Sequence, residues 1–425
     1  MVRILKKIGL FSAAVALVLC TVTTSVWAPA DPIDSARLIT RPYEFDYAGW
    51  TMQAFLQKIS IASANLPASL KVSQQRKVID AYFRYLAEDN RLDNEISTLI
   101  SAPGGEQKED QKKLALVQAA HQRNRWYLSR YRKLAESVIQ FQVSQTVDQM
   151  GFAEIMQPFP PILFQTTDLP KQLILSPRNV IRQEKSISLI PDMPIPAMVE
   201  MEENVENLID YSALVVPVGG VGTYPTMVLN TARLPYLLET VSHEWIHNYL
   251  VFRPLGIRYS ASPALRTMNE TTASIAGKEI SQAVLERYYP DLVQEKSIET
   301  ETFQASFQPA LENETQPFDF RKEMYTVRIR VEELLEEEKI EAAEKFMDEK
   351  RLVFWENGYQ IRKINQAYFA FHGAYADTPY SAAGDDPVGD DVRNLRVRYV
   401  NLIDFVDKIS TMSNYGQLKT FLSTF

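Results

Sequence analysis

The chain beyond residue 30 begins with apolar and polar positions that alternate with the period of an α-helix. Apolar residues recur three and four positions apart, with charged residues between them, over 45–61, 74–86, 92–100 and 107–150. The breaker run Ala102-Pro103-Gly104-Gly105 separates the last two segments. This pattern predicts an N-terminal helical region arranged as a hairpin. His121, set among Gln and Arg residues, is expected at a solvated position.

The pattern changes to short strands between residues 162 and 218. Apolar or alternating runs bounded by Pro, Asp and Asn occupy 162–165, 172–176, 186–190 and 213–218. They predict one small sheet of about four or five strands. A helix of about five turns follows, because Pro235 suits a first helical turn and the run 253–256, which contains proline and glycine, ends the apolar periodicity.

After Tyr289-Pro290 the chain returns to helical periodicity. Helices are predicted over 318–350, 361–376 and 396–425, and the acidic run 332–338 is expected to form a solvated face. The predicted fold class is therefore α+β, mostly α. Four parts follow from these patterns: a signal peptide or membrane anchor (1–30), an N-terminal helical region (31–155), a domain with the sheet and two helices (156–300), and a C-terminal helical subdomain (301–425).

Two of the chain's four histidines lie on the predicted five-turn helix, in His243-Glu244-Trp245-Ile246-His247. Positions i and i+4 share one helix face, so both imidazoles can bind one Zn2+, and Glu244 can reach the metal-bound water as general base. The alternative is a surface helix that carries two histidines by chance. The half-buried pattern of the flanking residues and the defined helix ends favour a rigid platform for metal ligands.

A catalytic zinc site needs a third protein ligand and one open position. The best candidate is Glu270, in the segment Met268-Asn269-Glu270-Thr271-Thr272-Ala273-Ser274-Ile275-Ala276-Gly277, which predicts the start of a second helix. The chain between His247 and Glu270 is long enough for a turn and a helix that returns past the first. The alternative is an ordinary first-turn glutamate that the helix dipole stabilises.

These segments resemble the gluzincin metallopeptidases, of which the thermolysin-like enzymes are one branch. That family carries H-E-x-x-H on one helix and N-E-x-x-x-D, often followed by I-x-G, on the next. This chain has N-E-x-x-x-S-I-x-G, so Ser274 stands where the family usually has an aspartate that accepts a hydrogen bond from a ligand histidine. A neutral serine predicts weaker support for that imidazole. The resemblance implies that residues 156–300 form a zincin-like catalytic domain.

The resemblance also implies a cofactor and a reaction. One Zn2+ per chain would be held by His243, His247 and Glu270. Zinc would lower the pKa of its bound water, and Glu244 would take the proton as the water attacks a carbonyl of a peptide or protein substrate. The chain lacks the G-A-M-E-N segment of one aminopeptidase branch, so exopeptidase activity is not supported.

Two further features of the family have candidates in this chain. Related enzymes stabilise the oxyanion with a His or Tyr from the C-terminal subdomain, and His372 or Tyr375 could supply that donor here. The alternative for His372 is a packing histidine in an aromatic helix. The glycine-rich run 218–226 suits an edge strand or bulge, which in the family pairs with the substrate backbone. A plain hairpin is its alternative.

Composition narrows the possible partners. The chain has 45 Lys and Arg against 53 Asp and Glu, a net charge of −8, with no basic block outside the N-terminus. This balance argues against nucleic acid as a partner. The single cysteine, Cys20, lies in the N-terminal apolar stretch, so the rest of the chain contains no disulfide and no thiolate zinc site.

The N-terminal segment predicts export. Arg3, Lys6 and Lys7 precede the mostly apolar stretch 8–28, and Ala28-Pro29-Ala30 offers a cleavage site of A-x-A type. The stretch is also long enough to span a bilayer uncleaved. The chain is therefore expected on the periplasmic or extracellular face, either secreted or anchored to the membrane by its N-terminus.

The sequence leaves three hypotheses about function. The first is an exported zinc metallopeptidase. The second is a membrane-attached scaffold or binding protein with a vestigial or structural zinc site, a hypothesis that Ser274 and the long helices favour. The third is a zinc amidohydrolase acting on a non-peptide amide, such as a cell-wall linkage. Glu244 favours the hydrolases, because a structural zinc site has no use for a general base.

Overall fold

The computed structural model describes residues 32–62, 66–101, 108–152, 158–231, 233–293, 318–359, 361–373 and 387–424. Most of these residues are helical and a few short strands accompany them, which confirms the predicted class, α+β and mostly α. The N-terminal apolar segment and Tyr375 lie outside the described residues. Within the described ranges, no helix combines the length and the apolar character that crossing a membrane requires.

The N-terminal region is built from α-helices, and the two longest pack against each other as the predicted hairpin. Its helices are α1 (Pro32–Thr40), α2 (Tyr47–Ala62), α3 (Leu66–Ser69), α4 (Val72–Ser101) and α5 (Lys108–Val147). The pattern predicted two helices over 74–100, and the structure has one. The residues between Leu86 and Leu92 include neither Gly nor Pro, so nothing in the backbone stops α4 there.

Six short strands form two sheets in the described part of the chain, where the sequence predicted one. In the first, β2 lies between β3 and β4 and is antiparallel to both. In the second, β6 runs parallel to β1 and antiparallel to β5. The strands, with one intervening helix, are β1 (Phe164–Thr167), β2 (Lys171–Pro177), β3 (Lys185–Leu189), α6 (Ile195–Leu208), β4 (Tyr211–Val216), β5 (Gly220–Val221) and β6 (Thr226–Leu229).

The antiparallel sheet is covered on both faces, which explains why its central strand is a continuous apolar run. Successive side chains of β2 point to opposite faces. Leu173 and Leu175 pack in a core with α6 residues such as Val205. Ile174 packs on the other side, in a core that also contains Leu214 of β4. The first four strands overlap the predicted runs, β5 lies in the glycine-rich run 218–226, and β6 was not predicted.

Three helices follow β6 and cross one another: α7 (Leu234–Leu250), α8 (Pro254–Ile257) and α9 (Pro263–Tyr288). Pro235 stands in the first turn of α7, as the sequence predicts. The start of α9 has a capping residue followed by proline: the backbone N–H of Leu265 donates to Ser262 Oγ at 3.2 Å, and Pro263 is the first helical residue. These two starts place His243 and Glu270 well inside regular helices.

The C-terminal part is helical in its described residues but more divided than the pattern predicted. Its helices are α10 (Phe320–Glu336), α11 (Ile340–Glu356), α12 (Gln366–His372), α13 (Pro387–Arg396), α14 (Leu402–Ser410) and α15 (Tyr415–Ser423). The predicted helix over 318–350 is two helices, and the predicted helix over 396–425 is replaced by the end of α13, α14 and α15.

A helix-ending motif separates α10 from α11. Glu338 has a positive φ of 58°, and its N–H donates to Leu335 O at 3.0 Å. The N–H of Lys339 donates to Leu334 O at 2.8 Å. This pair of hydrogen bonds is the Schellman arrangement, which usually places glycine at the residue with positive φ. Because a glutamate takes that place here, the sequence carries no visible stop signal.

One large core joins the hairpin, the crossed helices and the last three helices. It contains Tyr82 and Val138 from the hairpin, Trp245 from α7, Ile280 from α9 and Phe405 from α14, all at most 2% exposed. The N-terminal helical region therefore packs directly on the helices that carry the candidate ligands.

A buried ion pair connects α2, α5 and β1. Lys58 Nζ lies 2.5 Å from Glu136 Oε2, and both side chains are at most 5% exposed. The other carboxylate oxygen, Glu136 Oε1, accepts hydrogen bonds from the backbone N–H and the hydroxyl of Thr166, at 2.9 and 2.8 Å. Each charge therefore has its partner away from water, and removal of either would leave the other uncompensated.

We expect the substitution Lys58→Met to lower the free energy of unfolding by about 3–5 kcal/mol, because it leaves the Glu136 carboxylate buried without its cation. Urea unfolding followed by circular dichroism measures this change. Lys345→Met is the matched control, because that side chain is 80% exposed, and its effect should stay within about 0.5 kcal/mol. Equal effects of the two substitutions would contradict the assigned role of the pair.

Candidate metal centre

Helices α7 and α9 lie very close to each other at Gly277. A Cβ atom at this position would lie 3.0 Å from both the Cβ and the backbone nitrogen of His243. Glycine therefore permits a separation that a larger residue would prevent. Residues 269–274, one to two turns earlier on α9, then face the histidine motif.

The approach brings three side chains of the two helices together. His243 Nε2 and His247 Nε2 are 3.0 Å apart. Glu270 Oε2 lies 3.5 Å from the first nitrogen and 3.4 Å from the second. The three predicted ligands thus present one atom each to a common point.

This geometry fits a tetrahedral zinc ion. Bonds of about 2.0–2.1 Å separate the ligand atoms of such an ion by about 3.3 Å, close to the three observed distances. Glu270 supplies a second indication. Its Oε2 atom is fully buried and makes no hydrogen bond with any described residue, a costly condition for a carboxylate oxygen. Two imidazoles and one carboxylate are also the donor set of many catalytic zinc sites.

The charges of the site favour a cation at the same point. Burial alone would lower the pKa of His247, but the adjacent Glu270 carboxylate raises it to about 9. Burial alone would raise the pKa of Glu270, but the two histidines hold it well below its usual range. The buried carboxylate is therefore ionised and requires positive charge on or between the imidazoles, a charge that a divalent cation would supply.

Residues on α9 orient the two imidazoles. His247 Nδ1 lies 2.8 Å from Asn269 Oδ1, which can only accept a hydrogen bond, so Nδ1 carries the proton and Nε2 is left to bind a metal. Ser274 Oγ lies 3.4 Å from His243 Nδ1. Ser274 therefore stands opposite a ligand histidine, as the resemblance implied, with a long contact in place of a short charged one.

Tyr259 and Arg266 hold the candidate third ligand, and the sequence did not point to either. The hydroxyl of Tyr259 donates a hydrogen bond to Glu270 Oε1, the oxygen that faces away from the histidines. Arg266 Nε donates to the same hydroxyl at 3.2 Å, and its Nη1 donates to Ala370 O of α12 at 2.8 Å. Glu270 is thus oriented by a chain of contacts that reaches the C-terminal subdomain.

Glu244 lies beside the ligands without being one of them. Its side chain is 8% exposed, and burial raises its pKa. The edge strand β5 passes directly over it: a Cβ atom at Gly220 would lie 2.5 Å from Glu244 Oε1, and one at Gly222 would lie 3.3 Å from Glu244 Oε2. The glycine-rich run contains β5, which lies at the edge of its sheet and forms a hairpin with β6, so both the predicted edge strand and its hairpin alternative describe it. Its missing side chains leave room for this carboxylate.

The structure describes only one of the two residues predicted as oxyanion donors in the C-terminal subdomain. Tyr375 lies outside the described residues. His372 ends α12, where its ring contacts Tyr368 and Phe371. Burial lowers the pKa of His372 to about 4, so its imidazole is neutral near pH 7. These ring contacts agree with the packing alternative for His372, and its role as a donor stays a prediction.

A cavity of about 760 Å³ lies beside Tyr259 and Arg266. The segment 181–186 between β2 and β3 forms one wall, and Phe369 and Ala370 of α12 contribute to another. The cavity is large enough for several side chains of a peptide. Its lining includes more basic than acidic residues: Arg182, Lys185, Arg266 and Arg328 against Glu184.

Comparison of the chain with protein-family models, with curated proteins and with solved structures found no match in any of the three searches.

We expect Asn269→Leu to weaken zinc binding at this centre by about 10–100-fold, because His247 loses the acceptor that fixes its tautomer. Competition with a chelator of known affinity measures the change. Thr272→Val is the matched control on the same helix, since the Thr272 hydroxyl donates to Met268 O of its own helix at 2.7 Å. An equal loss in both variants would assign Asn269 a packing role instead.

Proposed function

We infer that the chain is a zinc-dependent peptidase of gluzincin type that hydrolyses peptide bonds in peptides or proteins. The convergence of His243, His247 and Glu270 around one point, with the buried Glu244 carboxylate beside it, carries this proposal. The order and spacing of these residues along the chain support the same assignment.

The three converging side chains would hold the ion. When bound there, zinc acts as a Lewis acid that polarises a carbonyl and makes a water molecule more acidic. Asn269 keeps the His247 proton on Nδ1, and Tyr259 keeps one oxygen of Glu270 occupied so that the other faces the histidines. The protein thus orients two of the three donors, His247 and Glu270, before any substrate arrives.

Glu244 is the proposed general base. A base must be near enough to the proton that it accepts and basic enough to hold it. Burial raises the pKa of this carboxylate, which makes it a better proton acceptor than an exposed glutamate. The close backbone of Gly220 restricts where the carboxylate can lie. The same residue can then return the proton to the leaving amine.

The surroundings of Glu244 suit an extended substrate. β5 is an edge strand of its sheet, so a peptide could pair with its backbone in the manner of an added strand. The cavity beside Tyr259 offers space for side chains of that peptide. Its basic lining favours acidic groups or a terminal carboxylate. Together these features support a peptide substrate over a small molecule.

Two other hypotheses make different predictions about the same residues. A scaffold with a structural metal site would need the three ligands but not a buried base at Glu244. An amidohydrolase acting on a cell-wall or other non-peptide amide would share the whole centre and differ only in substrate. Assays of the zinc-loaded protein on peptides and on amide-linked glycopeptides distinguish the proposed peptidase from the amidohydrolase.

Only the sequence bears on the location of the protein. We propose that the chain is exported, on the basis of Arg3, Lys6 and Lys7 ahead of the apolar stretch 8–28. If the stretch is retained, it would attach the peptidase to the membrane. Detection of the N-terminus of the mature protein by mass spectrometry distinguishes a cleaved signal from an anchor.

The decisive experiment compares the parent protein with Glu244→Gln on casein and on quenched fluorescent peptides. We expect kcat to fall by about 10²–10⁴-fold, the usual contribution of a general base, while the zinc content of the centre is unchanged. Zinc per chain is measured in the same preparations. The peptidase proposal fails if the zinc-loaded parent cleaves no peptide, or if the glutamine variant is as active as the parent.

A second experiment substitutes Gly220 of β5 and Gly222, which follows that strand. Gly220→Ala places a Cβ atom 2.5 Å from Glu244 Oε1 and 2.9 Å from its Cγ, so the carboxylate must move. We expect hydrolysis to fall at least tenfold with the three ligands intact. Gly222→Ala is the matched control, because its Cβ atom would be 3.3 Å from the nearest carboxylate oxygen and requires only a small adjustment. Equal activity of the two variants would contradict the assigned position of Glu244.

A further inference from the structure

A second group of potential metal ligands lies on the hairpin, in a different part of the fold from the centre described above. Asp89 and Asp93 are one turn apart on α4, and His121 faces them from α5. His121 Nε2 is 3.1 Å from Asp89 Oδ1 and 3.3 Å from Asp93 Oδ1. The sequence predicted a solvated position for His121, but its side chain is only 12% exposed, because the two helices pack there.

The Nε2 atom of His121 has an unusual environment. The Nε2 atom is fully buried, yet it makes no hydrogen bond with any described residue, although two carboxylate oxygens lie within 3.3 Å. Hydrogen bonds depend on direction as well as distance, so neither oxygen lies where an N–H group would point. A nitrogen lone pair directed at a shared cation has no such requirement toward the oxygens. Glu270 Oε2 is in the same state at the first centre.

We propose that Asp89, Asp93 and His121 form a second metal site, one that binds a divalent cation such as Zn2+ or Mn2+. The two short distances lie within the spacing of about 2.8–3.6 Å that bonds of about 2.0–2.2 Å give between neighbouring ligands of an octahedral or a tetrahedral ion. An imidazole beside two carboxylates selects these metals over Mg2+ or Ca2+, which prefer oxygen ligands alone. Asp93 is 63% exposed, so water can complete the coordination and the ion can enter from solvent.

The neighbouring side chains support this assignment. Asn124, one turn from His121 on α5, donates from Nδ2 to Asp89 Oδ1 at 3.1 Å and to Tyr85 O at 2.9 Å, which fixes the carboxylate between the helices. Arg91 pairs with Glu88 and Glu95 on the same helix. The basic residue nearest in sequence thus pairs with other acids, and among the described residues the side chain that faces both aspartates is the imidazole of His121.

The position of the site indicates its role. The large core reaches Leu86 on α4 and Leu128 on α5, and farther along the hairpin the buried apolar side chains among the residues with described burial are Leu92 and Val117. A metal ion at residues 89, 93 and 121 would connect the two helices where hydrophobic packing is thin. Binding would therefore order the outer half of the hairpin without touching the peptidase centre.

Equilibrium dialysis of the whole purified protein against buffered free Zn2+ tests this site. We expect two zinc ions per chain in the parent and one in each of the variants His121→Ala, Asp93→Asn and Glu270→Ala. The double variant His121→Ala/Glu270→Ala should bind none. Glu95→Gln is the matched control on the same helix and should keep both ions, because Glu95 pairs with Arg91.

The choice of variants separates this site from the proposed peptidase centre. Loss of one ion in Glu270→Ala tests the first centre alone, independently of metal binding at the hairpin. Asp93→Asn alters a largely exposed side chain, so it keeps the test valid if His121→Ala disturbs the hairpin. The proposal is overturned if His121→Ala and Asp93→Asn both bind as much zinc as the parent, whether or not Glu270→Ala loses an ion.

Discussion

The close approach of α7 and α9 is the constraint on which the candidate centre depends. Each helix alone presents ligands on one face, but the common point exists only where the two backbones nearly touch. Ala273, Ala276 and Gly277 give α9 a face of small residues toward α7, and Ala273 and Ala276 are completely buried. Small residues at a helix crossing bring the axes together and fix their register, so the ligand geometry is a property of the helix pair.

The same contact concentrates charge where water is scarce. Glu244 and Glu270 are both buried within reach of the same two imidazoles, and burial works against their ionised forms. Buried carboxylates persist only where positive charge or hydrogen bonds offset the loss of hydration. The hydrogen bond from Tyr259 to Glu270 meets part of that need. The part of this need that hydrogen bonds leave unmet explains why this arrangement of residues is suited to a cation.

The sequence predicted those parts of the site that depend on one helix at a time. The period of the helix puts His243 and His247 on one face, and the segment 268–277 places Glu270 in a second helix, although that helix begins earlier than predicted, at Pro263, so Glu270 is not a first-turn glutamate. Contacts between distant segments carry no such signal. The position of Gly220 over Glu244 requires the sheet to be placed on α7, and the contact of Tyr259 with Glu270 requires the bend at α8. The helix end at Glu338 was not predicted, because a glutamate occupies the position at which a glycine would have indicated that the helix stops.

The length of the hairpin has a consequence for the form of the whole molecule. A helix of 40 residues such as α5 extends about 60 Å, roughly twice the width of a small domain. Its second half is embedded in the main core, whereas its first half has mostly exposed side chains. The outer hairpin is therefore a projecting arm. In solution the particle should diffuse more slowly than a sphere of the same mass, and any attachment at the end of the arm would keep the body of the protein at a distance of several nanometres.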